Sequence, residues 1–500
     1  MCGALPVGAA PYYSYTYEQR TGRALSAPAG VVPQKKLDGD SLAVGQLNDP
    51  SDAVCDSEGN LYILDSGNSR VIGVAADLET VQFIIEKSGE IDFTGAQGLF
   101  VNEEYLYIAD TDHARILHYP RVYDGTPPLV IEPKNLLFDT AEQPFRPSKL
   151  VVDEMNRLYI VCTGVFEGLV QLDAEGEFIS YVGANRVKTN LLDQFWRLIA
   201  TREQYDASKK YIPVEFSNVC LDEEGFIFST ARGQTGDDST IRRLNLSGTD
   251  VLEVDETTQM GDLYGYTESA NRTVHTHFID VAAGPHGCFA GLDLAMGRIF
   301  VYDSECTMLF VFGGLGSQLG TFVSPSALVW LPNDGFGVLD RRTGDLTIFQ
   351  LTEYGELLFS AVGYEAEGEF DAAAEEYKQI LAMNANSELQ YLGVGKQLFR
   401  QGEYEEAMKY FKLAGNREYY SRAFEQYRKQ ALGVIIPSVI ALLLLLALFS
   451  LVKGGIRKAR WLHGRIAEIE RAENGRAEQQ KDLPQDTDGG KTEGGSPHGG

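Results

Sequence analysis

The chain has 500 residues and is strongly acidic, with 71 Asp and Glu against 43 Lys and Arg and a net charge of −28. This charge argues against a nucleic-acid-binding protein and against attachment to anionic lipid by surface charge, because both need a basic surface. The six cysteines show neither a CxxC pair nor a metal-ligand spacing, so the sequence predicts no redox motif, metal site or cofactor. A chain of this length is expected to form two or three domains.

Residues 1–30 form the first segment, which we expect to be the remnant of a signal peptide followed by an extended strand. It has no apolar stretch of the length that a signal peptide needs, but the small residues at 7–10 resemble the end of a cleavage region. Two explanations stay open. Either the natural start lies upstream, which we favour, or the bulk of the protein stays in the cytosol.

An internal repeat follows and decides the predicted fold. Each copy is a short apolar strand, a turn rich in Asp, Gly and Asn, a second apolar strand and a second turn. The copies start at residues 50, 98, 147, 218, 280 and 325. One four-stranded propeller blade needs about 40–50 residues, and closure into a ring lets each blade cover its neighbour. We therefore predict a mainly β fold, a six-bladed β-propeller over 31–362.

The clearest copy, 50–71, carries a proline, spaced acids, a Gly-Asn-Leu-Tyr turn and a closing arginine: Pro50, Asp52, Asp56, Gly59, Asn60, Leu61, Tyr62, Asp65, Asn68 and Arg70. It resembles the NHL repeat of β-propellers. With its tyrosine-rich start at 11–17 and the elements beyond the repeats, the chain is similar to a group of bacterial NHL-repeat membrane proteins. Their genes often lie near carbohydrate ABC-transporter genes. The resemblance implies a bacterial cell-surface protein associated with ABC-transporter components, and no defined activity.

A recurring pair of opposite charges stands five residues apart across the second turn of three copies: Asp65 and Arg70, Asp110 and Arg115, and Asp293 and Arg298. The aspartate can cap turn amides and the arginine can reach back to it or to the next blade. We favour this structural role over a ring of anion-binding arginines.

An insertion at 186–212 separates the third and fourth copies and has a helical pattern. Its most binding-prone side chains are Trp196, Lys209, Lys210 and Tyr211. Insertions on a loop face often carry function, but this one can equally cover a blade edge. Both interpretations stay open.

Alignment of the copies gives two columns of residues at the start of the first strand, where the loops of a propeller converge on its channel. One column reads Asp52, Gly98, Lys149, Asn218, Asp280 and Ala327, and the other reads Ser51, Gln97, Ser148, Ser217, Ile279 and Ser326. From these columns we predict a ligand site at the channel mouth formed by Asp52, Gln97, Ser148, Lys149, Asn218 and Asp280. Such a ring suits a polyhydroxylated ligand or a cation. The alternative is that these groups bind water and each other.

An enzyme is the competing functional class. Six-bladed propellers of the gluconolactonase type hold a divalent metal with a Glu, two Asn and an Asp, whereas the columns here offer Asn218 and two aspartates but no Glu from the first blade. The sequence has no nucleophile elbow, phosphate loop or HExxH motif. His275, His277 and His286 lack a further ligand for a metal site. We therefore predict no catalytic residues and no metal.

A second repeat covers 363–430. Gly368 and Gly402, each followed by an acid, an aromatic residue and an alanine, stand 34 residues apart. This period resembles a pair of tetratricopeptide repeats, with glycine in the helix–helix turn. Two such units need further cover, from the propeller or from the helix near the membrane.

The run 431–452 contains no charged residue and is long enough to cross a bilayer as one helix, which Pro437 should kink rather than end. A basic juxtamembrane helix is expected at 453–481 and a disordered tail at 482–500. Five bases follow the run and four precede it, a weak bias toward a cytoplasmic C-terminus and an extracellular propeller. The chain is thus predicted to be a single-pass membrane protein whose propeller binds a protein partner or a glycan. The alternative is a metal-dependent hydrolase or lactonase.

Overall fold

The structure is a computed structural model that describes residues 10–18, 22–89, 91–138, 144–183, 215–232, 240–252, 260–263, 266–268, 272–332 and 335–481. The chain divides into two compact units, Met1–Tyr420 and Ser421–Gly500, and each is described by itself.

The first unit begins with three strands. They are β1 (Tyr15–Tyr17), β2 (Ala24–Ser26) and β3 (Val31–Asp38). The first two form an antiparallel hairpin. Tyr15 and Tyr17 both donate hydrogen bonds from their hydroxyls to the Asp262 carboxylate, and Arg298 forms an ion pair with the same carboxylate. This buried polar cluster ties the N-terminal hairpin to the fifth blade of the propeller.

Six antiparallel sheets then follow around one axis. Blade one comprises β4 (Asp52–Cys55), β5 (Leu61–Asp65), β6 (Arg70–Val74) and β7 (Val81–Glu86). Blade two comprises β8 (Gly98–Val101), β9 (Tyr105–Asp110), β10 (Arg115–Pro120) and β11 (Leu129–Ile131). Blade three comprises β12 (Pro147–Val152), β13 (Leu158–Cys162), β14 (Leu169–Leu172) and β15 (Phe178–Val182).

Blade four shows three strands within the described residues: β16 (Glu215–Leu221), β17 (Ile227–Arg232) and β18 (Thr240–Leu244). A small hairpin of β19 (Tyr266–Glu268) and β20 (Arg272–Val274) leads to the next blade. Blade five comprises β21 (Phe278–Ala283), β22 (Phe289–Asp293), β23 (Arg298–Tyr302) and β24 (Met308–Gly313). The last three strands are β25 (Pro325–Leu331), β26 (Gly335–Asp340) and β27 (Asp345–Leu351).

Blade six is completed by β3, the strand that precedes the whole repeat region. It pairs antiparallel with β27 in a register that runs from Asp345 opposite Asp38 to Leu351 opposite Val31. The ring is therefore closed by hydrogen bonds between the two ends of the propeller sequence, and the predicted six-bladed fold is confirmed. β3 is the outermost strand of this blade and pairs with the edge of β27 that would otherwise be open.

Apolar side chains fill the space between neighbouring blades. Leu64 of blade one and Ile108 of blade two belong to one buried cluster, and Ile160 of blade three belongs to the next. Similar clusters lie between each following pair of blades and between blades six and one. A single sheet could not bury these faces, so each blade depends on its neighbours in the ring for its stability.

The predicted charge pairs of the second turn form in two of the three copies. Arg70 Nε donates to Asp65 at 2.6 Å, and Arg115 Nε donates to Asp110 at 2.8 Å. In the third copy the aspartate caps turn amides as predicted, but the arginine pairs with a different carboxylate. The Asp293 carboxylate accepts three backbone amides, those of His277, Ala295 and Met296, while Arg298 reaches the Asp262 cluster instead.

Four helices follow the propeller directly: α1 (Glu353–Glu367), α2 (Phe370–Met383), α3 (Glu388–Arg400) and α4 (Tyr404–Leu413). They begin at Glu353, earlier than the boundary at 363 predicted from the sequence. Gly368 and Gly402 adopt positive φ in the two helix–helix turns, as the repeat pattern predicts. Gly393 lets α3 approach the Tyr377 ring of α2, because a Cβ at that position would overlap the ring.

The propeller supplies cover for these helices. Thr352 caps α1 by accepting the Gly355 amide at 3.2 Å and donates its hydroxyl to the Ala29 carbonyl at 2.7 Å. Phe359 of α1 packs with its ring centroid 5.4 Å from Trp330 of blade six. Docking on the propeller therefore buries the apolar face that two helical hairpins would leave open.

One long helix, α5 (Arg417–Lys481), contains the apolar run and continues through Pro437. Its 65 residues exceed the length needed to cross a hydrocarbon core of roughly 30 Å. By length and composition it is the one helix in the described part of the chain that is able to cross a membrane, and none of its apolar window is buried against protein. The predicted segments 431–452 and 453–481 are thus parts of one continuous helix.

Candidate functional site

The innermost strands of the six blades, β4, β8, β12, β16, β21 and β25, surround a central channel. Both sequence columns lie where these strands begin. A cavity of about 310 Å³ opens at this end, the channel mouth. It is lined by Ser51, Gln97, Ser148, Lys149, Val161, Thr163, Glu215, Phe216, Ser217, His277, Ile279, Ser326 and Arg341.

The serine column at the mouth is occupied by hydrogen bonds within and between blades. Ser51 donates to the Ala96 carbonyl of blade two at 2.9 Å, and Ser326 donates to the Pro50 carbonyl of blade one at 3.2 Å. Ser217 shares a hydrogen bond of 2.7 Å with Thr230, and Ser148 donates to the Val161 carbonyl at 3.2 Å. The hydroxyl protons of this column are therefore engaged by protein acceptors.

The aspartates of the column that begins with Asp52 also connect blades. Asp52 accepts the Ala53 amide at one oxygen, at 3.0 Å, and the Leu99 amide of blade two at the other, at 2.7 Å. Asp280 does the same with the Val281 amide at 2.7 Å and the Leu328 amide of blade six at 2.6 Å. Asn218 of blade four donates its side-chain amide to Asp280. Each carboxylate oxygen thus already accepts at least one N–H.

Lys149 links blade three to blade one across the channel. Its Nζ lies 2.6 Å from Asp52 Oδ1, and its side chain is only 13% exposed. It passes over Gly98 of blade two, where a Cβ would overlap the Ser148 carbonyl oxygen. The absence of a side chain at 98 lets the inner strands approach closely enough for this ion pair.

Burial raises the pKa of Asp280 to about 7, with the Asp52 charge adding to the shift and the Lys149 charge opposing it. The three backbone and side-chain donors around the carboxylate do not overcome the loss of hydration. The Asp280 carboxyl is therefore protonated more readily than that of an exposed aspartate.

These observations bear on whether the ring of channel residues suits a cation. Within the described residues no group of three or more His, Cys, Asp or Glu side chains is arranged to hold a metal ion. The oxygens of Asp52 and Asp280 already bind N–H donors, so the channel residues do not fit the metal of a gluconolactonase-type enzyme. His277 lies at the mouth, whereas His286 lies in a separate groove beside α1, so the histidines do not form one site.

The structure adds mouth residues that the sequence columns missed: Thr163, Glu215, Phe216 and Arg341. Thr163 and Arg341 each stand directly after the second strand of their blade. Ser66 and Thr111 occupy the same position in blades one and two. Aligning that position across the copies would have found them. The Glu215 carboxylate accepts the Gly164 amide at 3.2 Å.

The insertion 186–212, with Trp196, Lys209, Lys210 and Tyr211, lies outside the described residues. Glu215, the first residue described after it, lines the mouth.

No family model and no curated protein sequence matches this chain. Among solved structures, a protein of unknown function from Bacteroides thetaiotaomicron is similar over 68% of this chain and 76% of its own, with 11% identity and a TM-score of 0.41. Virginiamycin B lyase from Staphylococcus aureus matches over 64% and 99%, with 10% identity and a TM-score of 0.38. The WD40 β-propeller domain of Doa1 matches over 66% and 99%, with 10% identity and a TM-score of 0.36. Similarity this low carries no argument about activity.

The raised pKa of Asp280 makes a prediction about stability. Between pH 4 and 7 the folded protein holds a proton on Asp280 that the unfolded chain releases, so the free energy of unfolding should fall as the pH rises through this range. The variant Asp280→Asn should show a shallower fall, measured by urea unfolding at several pH values. Asp40→Asn, at an exposed site, is the matched control and should follow the wild type. Equal slopes for all three proteins would contradict the assignment.

Proposed function

We propose that this chain is a membrane-anchored binding protein whose propeller holds a polyhydroxylated ligand, a glycan, in the channel mouth. The observation that carries the proposal is the cavity of about 310 Å³ at the point where all six blades converge. A volume of this size matches a small ligand, and ligands of propellers are contacted by several blades at once.

The chemistry of the mouth supports a sugar. Ile279, which is partly exposed, supplies apolar surface for the C–H groups of a sugar ring, and the largely buried Val161 and Phe216 also line the cavity. Beside them, the amide of Gln97, the carboxylate of Glu215 and the guanidinium of Arg341 are planar groups that bind neighbouring hydroxyls in pairs. This is the mixture of apolar lining and a few convergent polar groups that is typical of small-molecule sites.

The repeat types, the orientation in the membrane and the protein partner are proposed from the family resemblances of the sequence. The repeats are assigned to the NHL type and the two helical hairpins to the tetratricopeptide type, which would make the hairpins a spacer between propeller and anchor. The propeller faces the outside of a bacterial cell, where a carbohydrate ABC transporter is the proposed protein partner. The supporting features are the repeat motifs of the sequence and the apolar helix α5.

Binding at the mouth is tested with the full chain in detergent on an array of immobilised glycans. Gln97→Trp places a large ring in the cavity and should abolish the glycan signal, because the space for the ligand is lost. Gln82→Trp is the matched control, since Gln82 lies on the outer strand β7 and is exposed. It should bind like the wild type. A glycan signal that survives Gln97→Trp would place the ligand elsewhere.

The proposed orientation is tested separately in cells that express the protein from its own gene. Protease added to intact cells should degrade the propeller, detected with an antibody against it, while the segment after α5 stays protected until the cells are permeabilised. A propeller that is degraded only after permeabilisation would place it in the cytosol.

A further inference from the structure

We propose that two copies of this chain pair in parallel through one face of α5, in the part of the helix that follows the apolar run. The residues concerned are 452–471, from the last residue of the run onward, and the proposed function gives them no role. The pairing depends on α5 crossing the membrane. It does not depend on what the channel mouth binds.

Apolar and small residues follow one face of this part of α5. They recur at alternating steps of three and four residues, the spacing of the a and d positions of a heptad repeat. All of them are exposed on the helix, and we call them the α5 seam: Val452, Gly455, Ala459, Leu462, Ile466 and Ile469. The β-branched Val452 and Ile466 at a, with Leu462 at d, are typical of two-stranded coiled coils.

Charged side chains are absent from the α5 seam although they are frequent around it. Between residues 452 and 471 they all occupy the other positions of the heptad: Lys453, Arg457, Lys458, Arg460, Arg465, Glu468, Glu470 and Arg471. The seam ends where Glu473 takes the next a position and Arg476 the next d position. A helix that is solvated on every side does not need such a separation, so the pattern indicates that this face is covered.

Lipid does not reach the far end of the α5 seam. α5 continues as one helix from the apolar run to Lys481, and Ile466 stands 14 residues after Val452. At about 1.5 Å per residue, the two residues lie about 21 Å apart along the axis. The headgroup region adds only roughly 5–8 Å to each side of the hydrocarbon core. Ile466 and Ile469 therefore lie beyond the bilayer, where only protein is able to cover them.

A second copy of the chain matches the α5 seam in direction and height. Two copies that are inserted in the same way run parallel, and the bilayer holds their apolar runs at the same depth. Each seam residue then faces its own counterpart, as a two-fold symmetric contact requires.

The charges beside the seam are also complementary to those of a second copy. In a parallel pair, a residue at g lies near the e position five residues later on the other helix. Arg465 is at g and Glu470 is at e, so each Arg465 faces Glu470 of the other copy, twice by symmetry. Ion pairs between e and g positions set the choice and orientation of coiled-coil partners.

The face is tested by disulfide crosslinking of the full chain in isolated membranes with copper phenanthroline. Ile466→Cys and Ile469→Cys should give at least about fivefold more crosslinked dimer than Gly464→Cys and Ala467→Cys, because a disulfide forms only where two Cβ atoms approach to about 4 Å. The two control positions lie in the same stretch of helix but off the seam. Wild type, with its six native cysteines, gives the background, and maleimide labelling checks that each new thiol is accessible.

The partner is tested by copurification of two differently tagged copies that are expressed together. Arg465→Glu in both copies, or Glu470→Arg in both, places like charges opposite each other and should lower recovery of the second copy roughly fivefold. One copy of each variant restores both opposite-charge pairs and should restore recovery. Arg465→Glu also loses the contact with Trp461 of its own helix, which mixing cannot return. Arg471→Glu, off the seam, is the matched control and should be recovered like the wild type.

Four results would overturn the proposal. Crosslinking at none of the positions would show single copies, and equal crosslinking on and off the seam would show chance collisions in the membrane. Equal loss of recovery in Arg465→Glu and Arg471→Glu would show a general effect of charge. Failure of the mixed variants to recover would show that the two helices do not meet in this register. The glycan array tests the proposed function separately from all four.

Discussion

The propeller depends on polar bonds between blades at the start of each inner strand. In blades one and five an aspartate there accepts the amide that follows it and an amide of the next blade, as Asp52 does with Leu99 and Asp280 with Leu328. Serines one residue earlier add bonds to the next blade, as at Ser51. These directional hydrogen bonds add to the apolar packing between blades and help to fix the height of the inner strands that they join. The channel and its mouth take their shape from that alignment.

This constraint changes what the mouth is able to bind. The aspartates and serines of the two columns are the most polar residues of the repeats. Their hydrogen-bonding groups are occupied by bonds within the protein. In the proposed function, recognition falls to groups that rim them, above all Gln97, Glu215 and Arg341.

Much of the fold was predictable because the repeat carries its own turn chemistry. The positions of the inner strands, the Asp65–Arg70 pair and the glycine turns of the helices follow from local sequence pattern. Closure of blade six by β3 was not predictable, since that strand lies outside the repeat copies. The partner of Arg298 was also missed, because Asp262 comes from a connection with no counterpart in other blades. The sequence alignment located the two columns of channel residues. It could not show that the carboxylate oxygens of Asp52 and Asp280 bind amides of the next blade, because those amides come within reach only when the ring closes.

The most direct test of this account is a double-mutant cycle on the ion pair between blades three and one. The variants Asp52→Asn, Lys149→Met and their combination are compared with the wild type by urea unfolding of the full chain. If the pair links the blades, each single change should lower the free energy of unfolding, and the double variant should lose at least about 1 kcal/mol less than the sum of the two. Effects that add within about 0.5 kcal/mol would show that the two residues do not interact, and would contradict the account.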